Sequence, residues 1–357
     1  MRLEMDAARI EAVLVSHRIP GRVTGGMVLP RVIRYQLATS FGTRVKQIAG
    51  LAEEIAMALG VDSARVYREG ATIQVEIPRE GQGHVSLLSL AQRVDVVPPV
   101  TAILGLDHEG IPLLLRLPSP DVSHVLIAGT SGSGKTALLR TMLLSLAMHN
   151  PQGRMQVVLL DPKARGLAPL CHLPHLLWPP ASDPEEAGVQ LGRLVEEMAR
   201  RDREKRSEPR IVVAIDELAD LADAGGEAVR QGVTRLAQRG REAGIHLIVA
   251  TQKPTAQAVG SLAKANFPVR LVGAVTTPEE AKIATGIAGS GAEKLLGHGD
   301  FLVVARGRAI RFQAAYISTE ETVRVINQLR PGLRRTRRWL AGEDELTPGP
   351  HAGEYEV

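Results

Sequence analysis

A single cysteine, Cys171, stands in 357 residues, so no disulfide can close within the chain. That fits a reducing compartment, and a lone cysteine is more often a small buried apolar residue than a nucleophile. Aromatic residues make up 3% of the chain, which removes the stacking platforms on which single-strand and RNA-reading modules depend. No apolar run reaches the about 18 residues that cross a bilayer. The opening Met1-Arg2-Leu3-Glu4-Met5-Asp6 carries acids and no continuous apolar stretch. Neither a membrane helix nor a secretory signal is expected, and the expected location is cytoplasmic. Neither sign of charge dominates: 43 Lys and Arg against 39 Asp and Glu leave a net +4. Mild basicity permits a nucleic-acid partner without requiring one. No internal repeat is evident.

What is present is enough chain for two or three domains and an ordinary apolar fraction of 44%. Residues 7–15 read as a short amphipathic helix, and Pro20-Gly21 and Gly25-Gly26 as breaks. Val32 to Leu37 and Thr72 to Ile77 alternate like strands, while 43–59 has helical spacing with Gly60 as a C-cap. Residues 1–97 therefore read as a small α/β domain, ending near the hinge Val97-Pro98-Pro99. From about residue 121, apolar runs at 125–128, 157–160, 211–215, 247–250 and 269–272 alternate with helices expected over 135–149, 185–206 and 226–243. Continuous apolar strands separated by helices indicate an α/β fold, a parallel sheet covered on both faces. Residues 301–317 read as a hairpin. Residues 98–329 thus form the expected second domain. Residues 330–357, basic over Arg330–Arg338 and acidic from Glu343, read as a disordered tail.

The chemistry begins at Gly129-Thr130-Ser131-Gly132-Ser133-Gly134-Lys135-Thr136, a phosphate-loop pattern between an expected strand and helix. Its glycines let the backbone wrap a triphosphate with N–H groups inward, and the helix N-terminus adds partial positive charge. Lys135 would reach the outer phosphates of ATP and the Thr136 hydroxyl would ligate Mg²⁺. A flexible Gly/Ser loop is the plainer alternative, disfavoured by the strand–loop–helix context. The run Ile211–Ile215 leads into Asp216-Glu217, placing two carboxylates at the sheet's carboxyl edge. Asp216 would hold Mg²⁺ and Glu217 would activate water. Taken alone the pair could equally start a helix, and the phosphate loop upstream decides for catalysis.

A series of further segments, in a fixed order, is more specific than the phosphate loop alone. It runs through Asp161-Pro162-Lys163, Pro174-His175-Leu176-Leu177 and Asp216-Glu217-Leu218-Ala219-Asp220-Leu221. It continues with Arg235-Leu236-Ala237-Gln238, Ala243-Gly244-Ile245-His246-Leu247 and Ala250-Thr251-Gln252-Lys253-Pro254. Lys264-Ala265-Asn266-Phe267-Pro268 and Gly291 to Asp300 close it. This ordered series resembles the FtsK/SpoIIIE family of DNA motors, and Pro30 to Leu37 and Glu76-Ile77-Pro78 are similar to that family's small α domain. The resemblance covers about residues 10–320. It implies a small domain joined to a RecA-like P-loop ATPase, assembled as a hexameric ring around double-stranded DNA. By position it implies that Gln252 senses the γ-phosphate and that Arg241 is an arginine finger, off the apolar stripe of helix 226–243 and offered to a neighbouring subunit. It also implies that Lys253 and, more weakly, Lys282 grip DNA phosphates. For each of these the alternative is an ordinary exposed side chain. His246 and His298 show no metal-ligand spacing and read as structural.

Membrane segments, a long linker and a winged-helix domain, usual in cell-division motors, have no counterpart in these residues. A stand-alone motor and a part of a longer one both stay open. A protein pump is the second functional reading, since related ATPases drive secretion. The lone phosphate loop, the small α domain and Lys253 favour DNA. A scaffold with little turnover is the third, and Glu217 and Arg241 argue against it.

Overall fold

Residues 32–37 and 72–77 alternate because one face of each strand enters an apolar core, while on the other face Arg34 and Glu76, also buried, pair at 2.8 Å. In the computed structural model, which describes residues 2–29, 32–40, 42–70, 72–79, 84–252, 266–330 and 355–356, they become β2 (Val32–Thr39) and β4 (Thr72–Pro78). With β1 (Gly21–Val28) and β3 (Arg65–Glu69) they form an antiparallel sheet ordered β1-β2-β4-β3. Helices α1 (Arg2–Ser16), α2 (Val45–Ala49) and α3 (Ala52–Leu59) accompany it. Ile10, Leu14, Ile48 and Ile55 pack with Tyr35, Leu37 and Val75 in one apolar core. Two expectations change here. The glycines at 25 and 26 do not break the chain: β1 absorbs them with a register shift between Val23 and Gly25. The helix expected over 43–59 is split at Gly50-Leu51.

This first compact unit runs Met1–His84, and the second Val85–Val357. The division falls before, not at, Val97-Pro98-Pro99. Residues 85–94 belong with the second unit because β5 (Val85–Ser86) pairs with a strand there and α4 (Leu87–Arg93) buries Leu87 and Leu90 in its core.

The second unit is built on one sheet ordered β15-β7-β6-β14-β13-β12-β8-β11-β10-β9. Strands β8 (Val125–Ala128), β9 (Met155–Leu160), β10 (Arg210–Ile215), β11 (Ile245–Thr251) and β12 (Val269–Val272) are parallel. The sheet is mixed, because antiparallel strands extend one side: β13 (Asp300–Ala305), β14 (Arg308–Tyr316), β6 (Thr101–Asp107) and β7 (Pro112–Arg116). The short β15 (Tyr355–Glu356) pairs with β7. Residues 331–354, which hold most of the expected disordered tail, lie outside the described residues.

Alternate side chains of each central strand enter different cores. Val157, Leu159, Val212, Ala214, Ile248 and Ala250 meet α5 (Lys135–His149) and α10 (Thr319–Leu329) on one face. Val158, Leu160, Ile211, Val213, Leu247 and Val249 meet α6 (Pro184–Glu204), α7 (Leu218–Ala224) and α8 (Gly226–Arg239) on the other. Burial on both faces is why these strands read as unbroken apolar runs. Helix α8 stops at Arg239, short of the expected 243. The chain turns at Gly244, with a φ of 71° and its Cα so close to the Ser207 carbonyl that a Cβ would collide with it. Beyond β12, α9 (Pro278–Thr285) is capped by the Thr277 side chain. No helix among the described residues is long and apolar enough to cross a membrane.

Candidate nucleotide site

The loop 129–134 leaves β8 at its carboxyl end and enters α5. Gly134, at a φ of 102°, is the N-cap of that helix and its hypothetical Cβ would lie 3.0 Å from the Gly299 nitrogen. A side chain would push the loop away from its support, so glycine is needed here on two counts. The loop is pinned from two sides. The Thr130 N–H and hydroxyl both donate to the Ala274 carbonyl, at 2.8 and 3.0 Å. The N–H groups of His298 and Gly299 donate to the carbonyls of Gly132 and Ser133, at 3.1 and 2.8 Å. The segment Gly297–Asp300 is therefore a brace for the phosphate loop, which sequence reasoning missed. Its run of glycines around a histidine was the available signal.

Lys135 is buried, and its ammonium donates to the Thr130 carbonyl at 2.8 Å. Burial lowers its pKa, opposed by the nearby Glu217 and Asp216 carboxylates. Thr136 donates its hydroxyl to Asp216, 3.0 and 3.1 Å from the two carboxylate oxygens. Asp216 follows the end of β10, and its pKa is raised, first by burial; the Thr136 bond opposes that, and Asp161 and Glu217 add to it. Glu217 stands in the left-handed region, φ 67° and ψ 74°, at the start of α7. For a residue with a Cβ this costs of order 1–3 kcal/mol and occurs where surrounding structure imposes it. Its carboxylate accepts from the Thr251 hydroxyl at 3.1 Å and from the Gln252 N–H at 3.0 Å.

The structure thus brings together Gly129–Thr136, Asp216, Glu217 and the backbone of Gln252. The Gln252 side chain is exposed, and the contact to Glu217 is made by its N–H. Thr251 and Asp161, quoted above only within longer segments and given no role there, join the site. Asp161 is buried and accepts from the N–H groups of Lys163 and Leu167, at 3.1 and 2.8 Å. Arg241 lies in the turn after α8, exposed, where the chain enters the amino end of β11. The phosphate loop occupies the carboxyl end of the neighbouring parallel strand, so Arg241 is not brought to its own chain's loop. Lys282 is exposed in the last turn of α9. Lys253 lies outside the described residues.

The residues present fit a magnesium nucleotide. Mg²⁺ is usually held by one or two carboxylates together with substrate phosphates, and a hydroxyl facing one carboxylate supplies that set. Asp216 is costly to keep ionised in its buried position, which a divalent cation would relieve. A loop of this geometry at the carboxyl edge of a parallel sheet, with a lysine and two carboxylates converging on it, defines a P-loop nucleotide-binding protein.

Within that class the sequence places it more narrowly. Residues 87–207 and 201–256 match the FtsK/SpoIIIE family, and residues 1–79 match the FtsK alpha domain. The chain belongs to the FtsK/SpoIIIE family. It is 33% identical over 359 residues to the DNA translocase FtsK of Sporosarcina ureae, covering 91% of this chain and 46% of that protein. It is 34% identical over 346 residues to the DNA translocase SftA of Bacillus subtilis, covering 89% of this chain and 36% of that one. The chain spans less than half the length of both relatives. In fold it is similar to the pCW3 conjugation coupling protein TcpA in its ATPγS-bound monomer form. The TM-score is 0.62 at 18% identity, over 91% of this chain and 99% of that one. It is also similar to the cytoplasmic domain of the Thermomonospora curvata type VII secretion ATPase EccC. There the TM-score is 0.59 at 21% identity, over 74% of this chain and 36% of that one.

Proposed function

We propose that the chain is a Mg²⁺-dependent ATPase that moves along double-stranded DNA, working in the cytoplasm as a hexameric ring. The observation that carries this reading is the convergence of Thr136 on Asp216 beside Lys135 and Glu217 at one sheet edge. In it, loop N–H groups and Lys135 bind the phosphates, Thr136 and Asp216 hold Mg²⁺, and Glu217 accepts the proton of the attacking water. A magnesium ion held by Thr136 and Asp216 would supply neutralisation of the phosphate charge. Glu217 is held to the end of β11 chiefly through Oε1, and we infer that it turns from Thr251 and Gln252 toward the attacking water during the cycle. That movement would make the Gln252 segment a sensor through its backbone, with its exposed side chain free to report on the γ-phosphate.

Arg241 supports the ring. An exposed arginine at the amino edge of the sheet can serve as a finger only for another copy's nucleotide. Lys253 and Lys282 would grip DNA phosphates without reading bases. Two relatives named DNA translocases favour DNA as the track. The likeness to a secretion ATPase keeps a polypeptide as the second reading. Triplex displacement separates them: the chain, with ATP and Mg²⁺, should strip a third strand from a linear duplex, and Lys135→Ala should not. Failure of displacement by a chain that hydrolyses ATP and forms rings on that duplex would reject translocation.

A further inference from the structure

The loop between β9 and residue 168 is drawn tightly over the nucleotide site. Asp161 fixes both its ends through the N–H groups of Lys163 and Leu167. Ala164 adopts a left-handed φ of 50°, which turns the loop sharply. The Gly166 backbone lies against the Thr136–Asp216 pair: a Cβ there would overlap the Asp216 carboxylate and come within 2.8 Å of the Thr136 methyl. One residue of this loop carries a half-exposed cation. The Lys163 ammonium is 2.8 Å from Asp220 Oδ2, with both side chains about half exposed, at 48% and 50%. Asp220 stands in the first turn of α7, the helix that Glu217 begins.

Exposed lysine–carboxylate pairs contribute little and exchange readily, and a lysine swings on a flexible four-carbon stem. Lys163 is also within electrostatic range of the catalytic groups. Asp220 raises its pKa most, Glu217 and Asp216 add to that, and its charge in turn disfavours the protonated form of Lys135. A triphosphate bound in the loop would place several negative charges close to this ammonium, against the one carboxylate it now holds.

We propose that Lys163 is a second phosphate-binding cation of the site, which exchanges Asp220 for the terminal phosphate when a triphosphate binds and so frees the start of α7. The inference rests on the nucleotide reading given above. It assigns Lys163 to recognition of a nucleoside triphosphate over a diphosphate, because the loop covers the Thr136–Asp216 end of the site, where outer phosphates and metal meet.

Affinities for ATPγS and for ADP, each with Mg²⁺, test it in the full chain and in Lys163→Met, Asp220→Asn and Lys135→Ala. Lys163→Met should weaken ATPγS roughly tenfold, the range of one charge-assisted hydrogen bond, with ADP nearly unchanged. Asp220→Asn should leave ATPγS binding unchanged or tighten it a few-fold, since the competing carboxylate is gone. Equal weakening of both nucleotides by both variants would mean a structural brace and overturn the proposal. An unchanged preference in Lys163→Met, while Lys135→Ala loses binding, would overturn it and leave the site reading intact. Retention of binding by Lys135→Ala would overturn both. Lys163→Arg keeps the charge and should restore most of the triphosphate preference, which a folding defect in the methionine variant would not predict.

Discussion

The two ends of the central strands treat their polar groups in opposite ways. At the amino edge buried polar side chains are tied to fixed backbone partners. Arg201, 2% exposed, donates to Glu197 at 2.7 Å and to the Pro209 and Ala243 carbonyls at 2.8 and 2.9 Å. His246 donates to the Ser123 carbonyl at 2.9 Å, and His124 accepts from the Leu247 N–H at 3.0 Å. Burial holds both rings neutral, with His124 lowered to about 3 and His246 to about 4. At the carboxyl edge the polar groups hold one another instead: Thr136 holds Asp216, Lys163 holds Asp220, and Glu217 takes the end of β11. Partners of this second kind can be exchanged for phosphate, metal or water. The amino edge is built for stability and the carboxyl edge for exchange.

Substitutions on the two sides should therefore separate stability from turnover. The largest expected effect is on turnover. Glu217→Gln should slow ATP hydrolysis by roughly 10²–10⁴-fold, the usual worth of a general base, with nucleotide binding retained. Parallel kinetics and nucleotide titration check this, and unchanged hydrolysis would remove Glu217 from its role. On the amino edge, Arg201→Ala leaves the Pro209 and Ala243 carbonyls without their buried donor, while Glu197 keeps Arg200. The substitution should cost about 1–3 kcal/mol for each carbonyl left unsatisfied in denaturant unfolding, with the ATPγS affinity of the folded protein unchanged.

The histidine pair gives a smaller effect with a definite sign. Both rings have folded pKa values below the unfolded value of about 6.5, so the unfolded chain binds more protons between those limits. Their neutral forms are fully stabilising above pH 6.5, and stability should fall as the pH drops from there toward 4. The slope is about 1.4 kcal/mol per pH unit for each ring. Denaturant melts at successive pH values should show His246→Asn with a shallower slope. The smallest effect is expected at the exposed Arg239–Asp202 pair, 2.9 Å apart, on the outer surface. Breaking it by Arg239→Gln should move unfolding by no more than about 1 kcal/mol and leave turnover unchanged.

How much of this could be read from the sequence depended on distance along the chain. The phosphate loop is one contiguous segment, and Asp216-Glu217 follows one apolar strand, so both were legible with their roles. The loop's supports were not, because Ala274 and Gly297–Asp300 reach it from far along the chain by backbone bonds that no side chain advertises. Thr251 carries no signal of its own: it joins the site only because Glu217 turns back onto it. Strands β6 and β7 carry apolar residues buried on both faces, so they show no alternation, and residues 98–121 went unassigned. Strand β1 was hidden by its glycines, which a mostly exposed edge with a register shift tolerates. Helix α8 ends at its C-cap Gly240, where a Cβ would come within 2.8 Å of the Ile245 carbonyl, a tertiary constraint that helical periodicity does not contain. Placing Arg241 in that turn rather than on the helix changes its setting but keeps it exposed.

The most direct test of the central claim is the rate of ATP hydrolysis at fixed low salt, alone and with long linear duplex DNA, single-stranded DNA or unfolded polypeptide. Salt must be held constant because phosphate contacts weaken steeply as it rises. Strong stimulation by the duplex, and little by the other two, is the result expected of a duplex motor. Hydrolysis indifferent to duplex DNA but stimulated by polypeptide would contradict it and make the chain a protein pump.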